Sequence, residues 1–147
     1  MNSTSINTAE LATQIERRVA RLTRWLRSEA HTGWSMAALL TLARLDAEGP
    51  MRITNLATAE AVTQPTMTGL VSRLEEAGFV RRTPDADDAR AVRVAITSAG
   101  RKQLDTARSA RAAVLRTRLD ALDPDALAGL ADALRALDHL LDTEINS

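Results

Sequence analysis

The chain has no cysteine and no tyrosine, and only one phenylalanine, two tryptophans, two histidines and one lysine among 147 residues. The absence of cysteine excludes a disulfide framework, a thiolate metal site, a thiol nucleophile and a thiol redox sensor. The two histidines, His31 and His139, are far apart and have no catalytic companions; no Ser-His-Asp, metal-ligand or phosphate-loop pattern occurs. No catalytic residue, metal or cofactor is therefore expected. With aromatic content at 2%, the core must be built from Leu, Ala, Val, Ile and Met. No apolar run approaches the ~20 residues that cross a bilayer, and Met1 to Glu10 hold no apolar signal core. A cytoplasmic protein without membrane contact is expected. Nor is there an excess of charge: 19 Lys+Arg balance 19 Asp+Glu. That balance excludes a uniformly basic coat but not a local basic patch.

What is present suits a folded chain: 45% hydrophobic and 26% charged residues, at a length that fits one domain, residues 1–147. Ile15, Val19, Leu22 and Leu26 recur at helical spacing and predict a first helix over about 8–29. His31-Thr32-Gly33 interrupts it. Ser35 can cap a second helix, about 36–48, with Leu39, Leu42 and Leu45 inward, and Gly49-Pro50 ends it. A short helix over about 53–58 turns Leu56 and Ala57 inward. After a tight turn, Thr63 or Gln64 precedes a further helix with Pro65 in its first turn, where a missing N–H costs nothing. Its buried face is Met67, Leu70, Val71 and Leu74, and Gly78 terminates it.

The character then changes. Residues 79–83 and 91–97 read as two strands around a polar, acidic loop, the only β structure expected. In the second strand Val92, Val94 and Ile96 alternate with Arg93 and Ala95, pointing to opposite sides. Thr97 or Ser98 opens a long helix to about Leu122 with Leu104, Ala107, Val114, Leu115 and Leu119 on its apolar side. Asp123-Pro124 starts a last helix. There Leu127, Leu130, Leu134, Leu137 and Leu141 are spaced three, four, three and four, a coiled-coil seam. The fold class is thus mainly α with a small β-hairpin wing: a winged helix-turn-helix over about 32–100, flanked by N- and C-terminal dimerisation helices over about 8–30 and 101–145.

Five segments carry a family resemblance: Ile53 to Ala57, Thr66 to Thr68, Leu74 to Arg82, Asp88 to Val92, and Ile96 to Gly100. Together they resemble the MarR family of bacterial transcriptional regulators over nearly the whole chain. The resemblance implies a homodimeric, often ligand-responsive repressor on pseudo-palindromic, double-stranded DNA operators. In the first and last helices, Ile15, Val19 and Leu22, and Leu127, Leu130, Leu134, Leu137 and Leu141, are the expected dimer contacts; the other reading packs these stripes onto the winged helix of the same chain.

On the recognition helix, 64–77, the side opposite the apolar face is Gln64, Pro65, Thr66, Thr68, Gly69, Ser72 and Arg73. Gln64 suits a bidentate contact to adenine, Thr66 or Thr68 a thymine methyl or a phosphate, and Arg73 a phosphate. Arg52, Thr54, Arg90 and Arg93 complete the expected DNA contacts, the last two on a wing over 80–97. Arg90 has a second reading, pairing with Asp88 to brace the hairpin. Two positions depart from the family pattern. Asp87 stands where the family often carries the minor-groove arginine, and Gly69 where it frequently carries arginine. Residues 50–102 still hold eight basic groups against six acidic ones, and residues 103–147 five against eight. That split has the sign DNA binding needs. Asp87 and Gly69 favour the alternative, a winged helix that binds protein without reading DNA. Trp25, His31, Trp34 and Met36 cluster near the junction of the first two helices, where the family places pockets for small aromatic or lipophilic ligands. The other reading packs Trp34 as a hinge residue.

Overall fold

The structure is a computed structural model that describes residues 6–88 and 90–143. Ala89 of the wing motif, the first five residues and the end of the predicted C-terminal helical region lie outside the described residues. The chain forms two compact units, one through Arg111 and one from Ala112.

The first unit opens with α1 (Thr8–Glu29), capped by Asn7, whose side-chain oxygen accepts from the N–H groups of Ala9 and Glu10 at 3.1 and 3.2 Å. Ser35 caps α2 (Met36–Glu48) by accepting from Ala38 N–H at 3.2 Å. Gly49 ends it with φ +83°, a conformation that a side chain would strain. There follow β1 (Met51–Arg52), α3 (Ile53–Ala59), α4 (Gln64–Glu76), β2 (Val80–Pro84), β3 (Val92–Ile96) and α5 (Ser98–Leu119). Of the two residues that could precede the recognition helix, Thr63 is the cap; its hydroxyl accepts from Thr66 N–H at 3.4 Å.

Periodicity and burial agree on the core. Leu39, Leu42 and Leu45 of α2, Leu56 and Ala57 of α3, and Met67, Leu70, Val71 and Leu74 of α4 are all buried, with Val80, Val94, Ile96 and Leu104. All of these but Leu39 form one cluster; each fully buried aliphatic side chain contributes about 1.5–3 kcal/mol, so the cluster holds α2, α3 and α4 together. An ion-pair bridge reinforces it: Arg44 of α2 donates through Nε to Glu60, just after α3, at 2.5 Å, and through Nη1 to Glu48 at 2.6 Å. In the turn between α3 and α4, Ala61 takes a left-handed conformation, φ +51°, that lets its N–H reach Thr58 O and Val62 N–H reach Ala57 O.

Two expectations need correcting. The hairpin is not the only β structure, because β1 pairs antiparallel with β3, Met51 opposite Val94 and Arg52 opposite Arg93, giving the order β1-β3-β2. Two residues are too few to show a period-2 pattern, so only the partner strand reveals them. The β3 alternation stands beside its burial: Val94 and Ile96 are buried, Ala95 is buried as well, and Val92 is 45% exposed. Val92 lies opposite Pro84 at the loop end of the hairpin, beyond the reach of the core. Finally, α5 stops at Leu119, and the chain tightens into i→i+3 turns at Ala121 and Leu122.

Thr97 clamps the start of α5. Its hydroxyl donates to Gly78 O at 2.6 Å and accepts from Gly100 N–H at 3.1 Å, while its own N–H reaches Phe79 O at 2.9 Å. No residue of α1 is buried: Ile15, Trp25 and Leu26 are half-buried, and Leu11, Val19 and Leu22 are exposed.

The second unit contains α6 (Pro124–Asp142), capped by Asp123, which accepts from Ala126 N–H at 2.8 Å. None of its residues is buried; Leu137 is half-buried, and Leu127, Leu130, Leu134 and Leu141 are exposed. Among the described residues, no helix is long and apolar enough to cross a membrane.

Candidate nucleic-acid interface

With its apolar face locked into the core, α4 leaves Gln64, Pro65, Thr66, Thr68, Gly69 and Arg73 exposed and Ser72 half-buried. These seven residues come together on one helix, as their spacing requires. Their polar atoms differ in availability. Among the described residues, Gln64's carboxamide and Arg73's guanidinium have no hydrogen-bond or ion-pair partner, which leaves both free to meet a ligand. Thr66 Oγ1 is 2.8 Å from Thr63 Oγ1, and Thr68 Oγ1 donates to Gln64 O at 2.9 Å. Both hydroxyl groups thus have partners within the helix and its cap. Ser72 Oγ accepts from Arg82 Nη2 at 3.3 Å, and Arg82 Nη1 also pairs with Glu75. Strand β2 thus braces the last turns of α4 through Arg82, a role the sequence pattern did not single out.

At the wing, Asp85 is the organising residue. It is 4% exposed. Its Oδ2 accepts from Arg52 Nε at 2.7 Å and from Arg93 Nε at 2.9 Å, and its Oδ1 accepts from Asp87 N–H at 2.9 Å. One carboxylate thereby ties β1, β3 and the wing loop together. The Arg52 contact, then the Arg93 contact and then the Asp87 N–H hold its carboxyl well below the usual carboxylate range. The same bond raises the pKa of Arg52. Arg52 and Arg93, expected as DNA contacts, are thus brought together by a shared acid, 41% and 35% exposed at their side chains. Thr54 is exposed close by and lines one small cavity with both arginines. Sequence reasoning assigned Asp85 no such role. The available signal was an acidic loop residue between two arginine-bearing segments, and the contact that matters spans 33 residues.

Arg90 is exposed near the tip. Asp88 does brace the loop there, but by accepting from Arg90's backbone N–H at 3.0 Å, which leaves the guanidinium uncommitted to Asp88. Asp87 is 83% exposed at its side chain and sits 3.4 Å from Arg93 Nη2.

The four candidate ligand contacts differ in their surroundings. Trp34 packs edge-on against Phe79, centroids 5.1 Å apart at 63°, and lies half-buried against the core. His31 is exposed, its Nδ1 3.2 Å from Glu29 O, and Trp25 and Met36 are half-buried.

Comparison with known proteins gives this geometry its context. The sequence profile of the MarR family matches residues 34–92. An HTH-type transcriptional regulator of Mycobacterium tuberculosis is 36% identical over 133 residues, 88% of this chain and 93% of its own. The structure of transcriptional regulator Tm0710 from Thermotoga maritima superposes with a TM-score of 0.70 at 27% identity, over 88% of this chain and 95% of that one. A mutant of S. aureus MepR bound to an oligodeoxyribonucleotide shares the fold at 18% identity, with a TM-score of 0.64 over 90% of this chain and 98% of that one. A helix-turn-helix with its polar face outward, a hairpin wing braced at its root, and a relative alike along nearly the full length of both chains agree: the chain belongs to the MarR family of transcriptional regulators.

Proposed function

We propose that the protein is a homodimeric repressor that binds a pseudo-palindromic operator in double-stranded DNA, with α4 in the major groove and the wing against the backbone. The observation that carries this reading is the split character of α4, with four buried apolar residues beneath an outward face where Gln64 and Arg73 are unengaged. A helix-turn-helix offers the N-terminal residues of its second helix to base edges. In this reading Gln64, at the first position of α4, takes an adenine, and Arg73, in its last turn, a phosphate.

Dimerisation rests on α1 and α6. Helices of 22 and 19 residues with no buried residue and exposed apolar stripes gain little from their own chain, and helices in water depend on packing an apolar face. A second copy supplies it. A small aromatic or lipophilic effector that releases the DNA is part of the proposal, with half-buried Trp25 and Met36 and exposed His31 as candidate contacts. Trp34 is occupied by Phe79. The site of action is the cytoplasm, where the operator lies.

Two substitutions test the placement of α4 on duplexes selected from genomic fragments. Arg73→Ala is expected to weaken binding evenly across sequences and to reduce the salt slope by about one per protomer. Gln64→Ala is expected to relax preference at one position per half-site, by about 1–3 kcal/mol of discrimination. If both variants bind as wild type does, α4 does not enter the groove. The exposed acid at Asp87 favours one rival, a winged helix that binds protein, and that rival predicts no duplex binding even at low salt.

A further inference from the structure

Asp85 takes only one nitrogen from each of its two arginines. Arg52 and Arg93 both reach Oδ2 through Nε, and among the described residues neither spends an Nη hydrogen bond on Asp85. Beside them opens a cavity of about 280 Å³ lined by Pro50, Met51, Arg52, Thr54, Asn55 and Arg93. Four of those six residues carry side-chain hydrogen-bond donors: two guanidiniums, a hydroxyl and a carboxamide. The lining itself carries two positive charges and no acid; the acids that offset them are the buried Asp85 beneath and the exposed Asp87 and Asp88 of the wing loop. Arg93 Nη2 already faces one, the Asp87 carboxylate, at 3.4 Å. That pair is long and mostly exposed, so Asp87 is held weakly and can be displaced.

Building on the DNA-binding reading above, we propose that this cavity seats one phosphodiester of the DNA backbone, with Asp87 as the intramolecular anion that competes for it. Asp85 is the positioning residue: it orders both guanidiniums before DNA arrives, which lowers the ordering cost of the contact. Arg93 exchanges a loose carboxylate for a phosphate oxygen, and Arg52, Thr54 and Asn55 surround the same group. Charge-assisted contacts from arginine to phosphate are short and strong, whereas the contact to Asp87 is neither. The acidic residue at the wing tip thus tunes affinity downward without removing the basic seat beneath it.

Because a phosphate contact carries no sequence information, a random 30-base-pair duplex tests it. Binding of the full chain is followed by fluorescence anisotropy over a potassium chloride series, with melting temperature as a folding control. Asp87→Asn is expected to tighten binding about fivefold by removing a competing charge, at an unchanged melting temperature. Arg52→Gln is expected to reduce the salt slope by about 0.9 per protomer. Thr54→Ala, which leaves the Asp85 contacts intact, is expected to weaken binding at an unchanged melting temperature. An Asp87→Asn chain that binds no tighter than wild type overturns the seat, as does an Arg52→Gln chain with the wild-type slope. If the wild-type chain itself binds no duplex at low salt, the DNA-binding reading fails and the seat with it.

Discussion

Gly100→Ala is expected to lower the melting temperature by about 6–12 °C, the equivalent of roughly 3 kcal/mol for a chain of this size. Gly100 is buried in the first turn of α5, and a Cβ there would overlap the Phe79 carbonyl oxygen and lie 2.8 Å from Ile96 Cγ1. The first obstacle is backbone and cannot rotate away. Phe79 O already accepts from Thr97 N–H, and Thr97 is bonded to both Gly78 O and Gly100 N–H. Moving α5 outward to admit a methyl group would strain all of these bonds at once and open the core at Ile96 and Leu104. Gly69→Ala is the matching control. It lies in the middle of α4 with nothing within 4 Å of the added carbon, so alanine should raise stability by about 0.5–1 kcal/mol through helix propensity. Calorimetry on both variants checks the contrast; equal melting temperatures would show that α5 does not pack so closely on the end of α4.

Asp85→Asn is expected to lower the melting temperature by about 3–8 °C and to weaken DNA binding about tenfold or more, the loss of one charge-assisted contact or more. The asparagine carboxamide has one acceptor oxygen for the two places that Oδ1 and Oδ2 fill, so its NH2 would face either the guanidiniums or the Asp87 N–H, all donors, and the charge that holds β1 to the wing would be gone. The pH dependence follows from the sign of the shift. The carboxyl of Asp85 is held below its unfolded value of about 4, so its contribution is fully present above that value and lost as pH falls through the folded value. Wild type and Asp85→Asn should therefore differ as much at pH 5 as at pH 7 in thermal melts, with the gap closing only below about pH 4. A gap that closes between pH 7 and pH 5 would mean that the carboxylate is not held by Arg52 and Arg93.

The helices were legible because their information is local. Ser35, Thr63, Pro65 and Asp123-Pro124 announce helix starts within a turn of themselves, and Met67, Leu70, Val71 and Leu74 report a buried face through spacing alone. The outward residues of α4 followed by subtraction. Where the reading stopped, the determining contact lies far along the chain. Met51 and Arg52 become a strand only because Val94 and Arg93 lie opposite them. Asp85 becomes a buried anchor only because a hairpin brings Arg93 to it and the sheet brings Arg52. Arg82 supports Ser72 across ten residues and a change from helix to strand. Ala61 adopts positive φ where a pattern of propensities would ask for glycine, since the tight turn into α4 and the hydrogen bonds at the end of α3 set its backbone. The balanced net charge also has a physical resolution: the segment with the helix-turn-helix and wing is mildly basic, residues 103–147 are acidic, and Asp85 and Asp87 offset part of the wing's arginine charge.

Hydroxyl-radical footprinting of the full chain on a genomic fragment that it selects tests the central claim most directly. A symmetric dimer with one α4 in each half-site predicts two protected segments related by a two-fold axis, with centres about one helical turn apart, roughly 34–36 Å. A single protected segment, or no protection at low salt, would contradict the account.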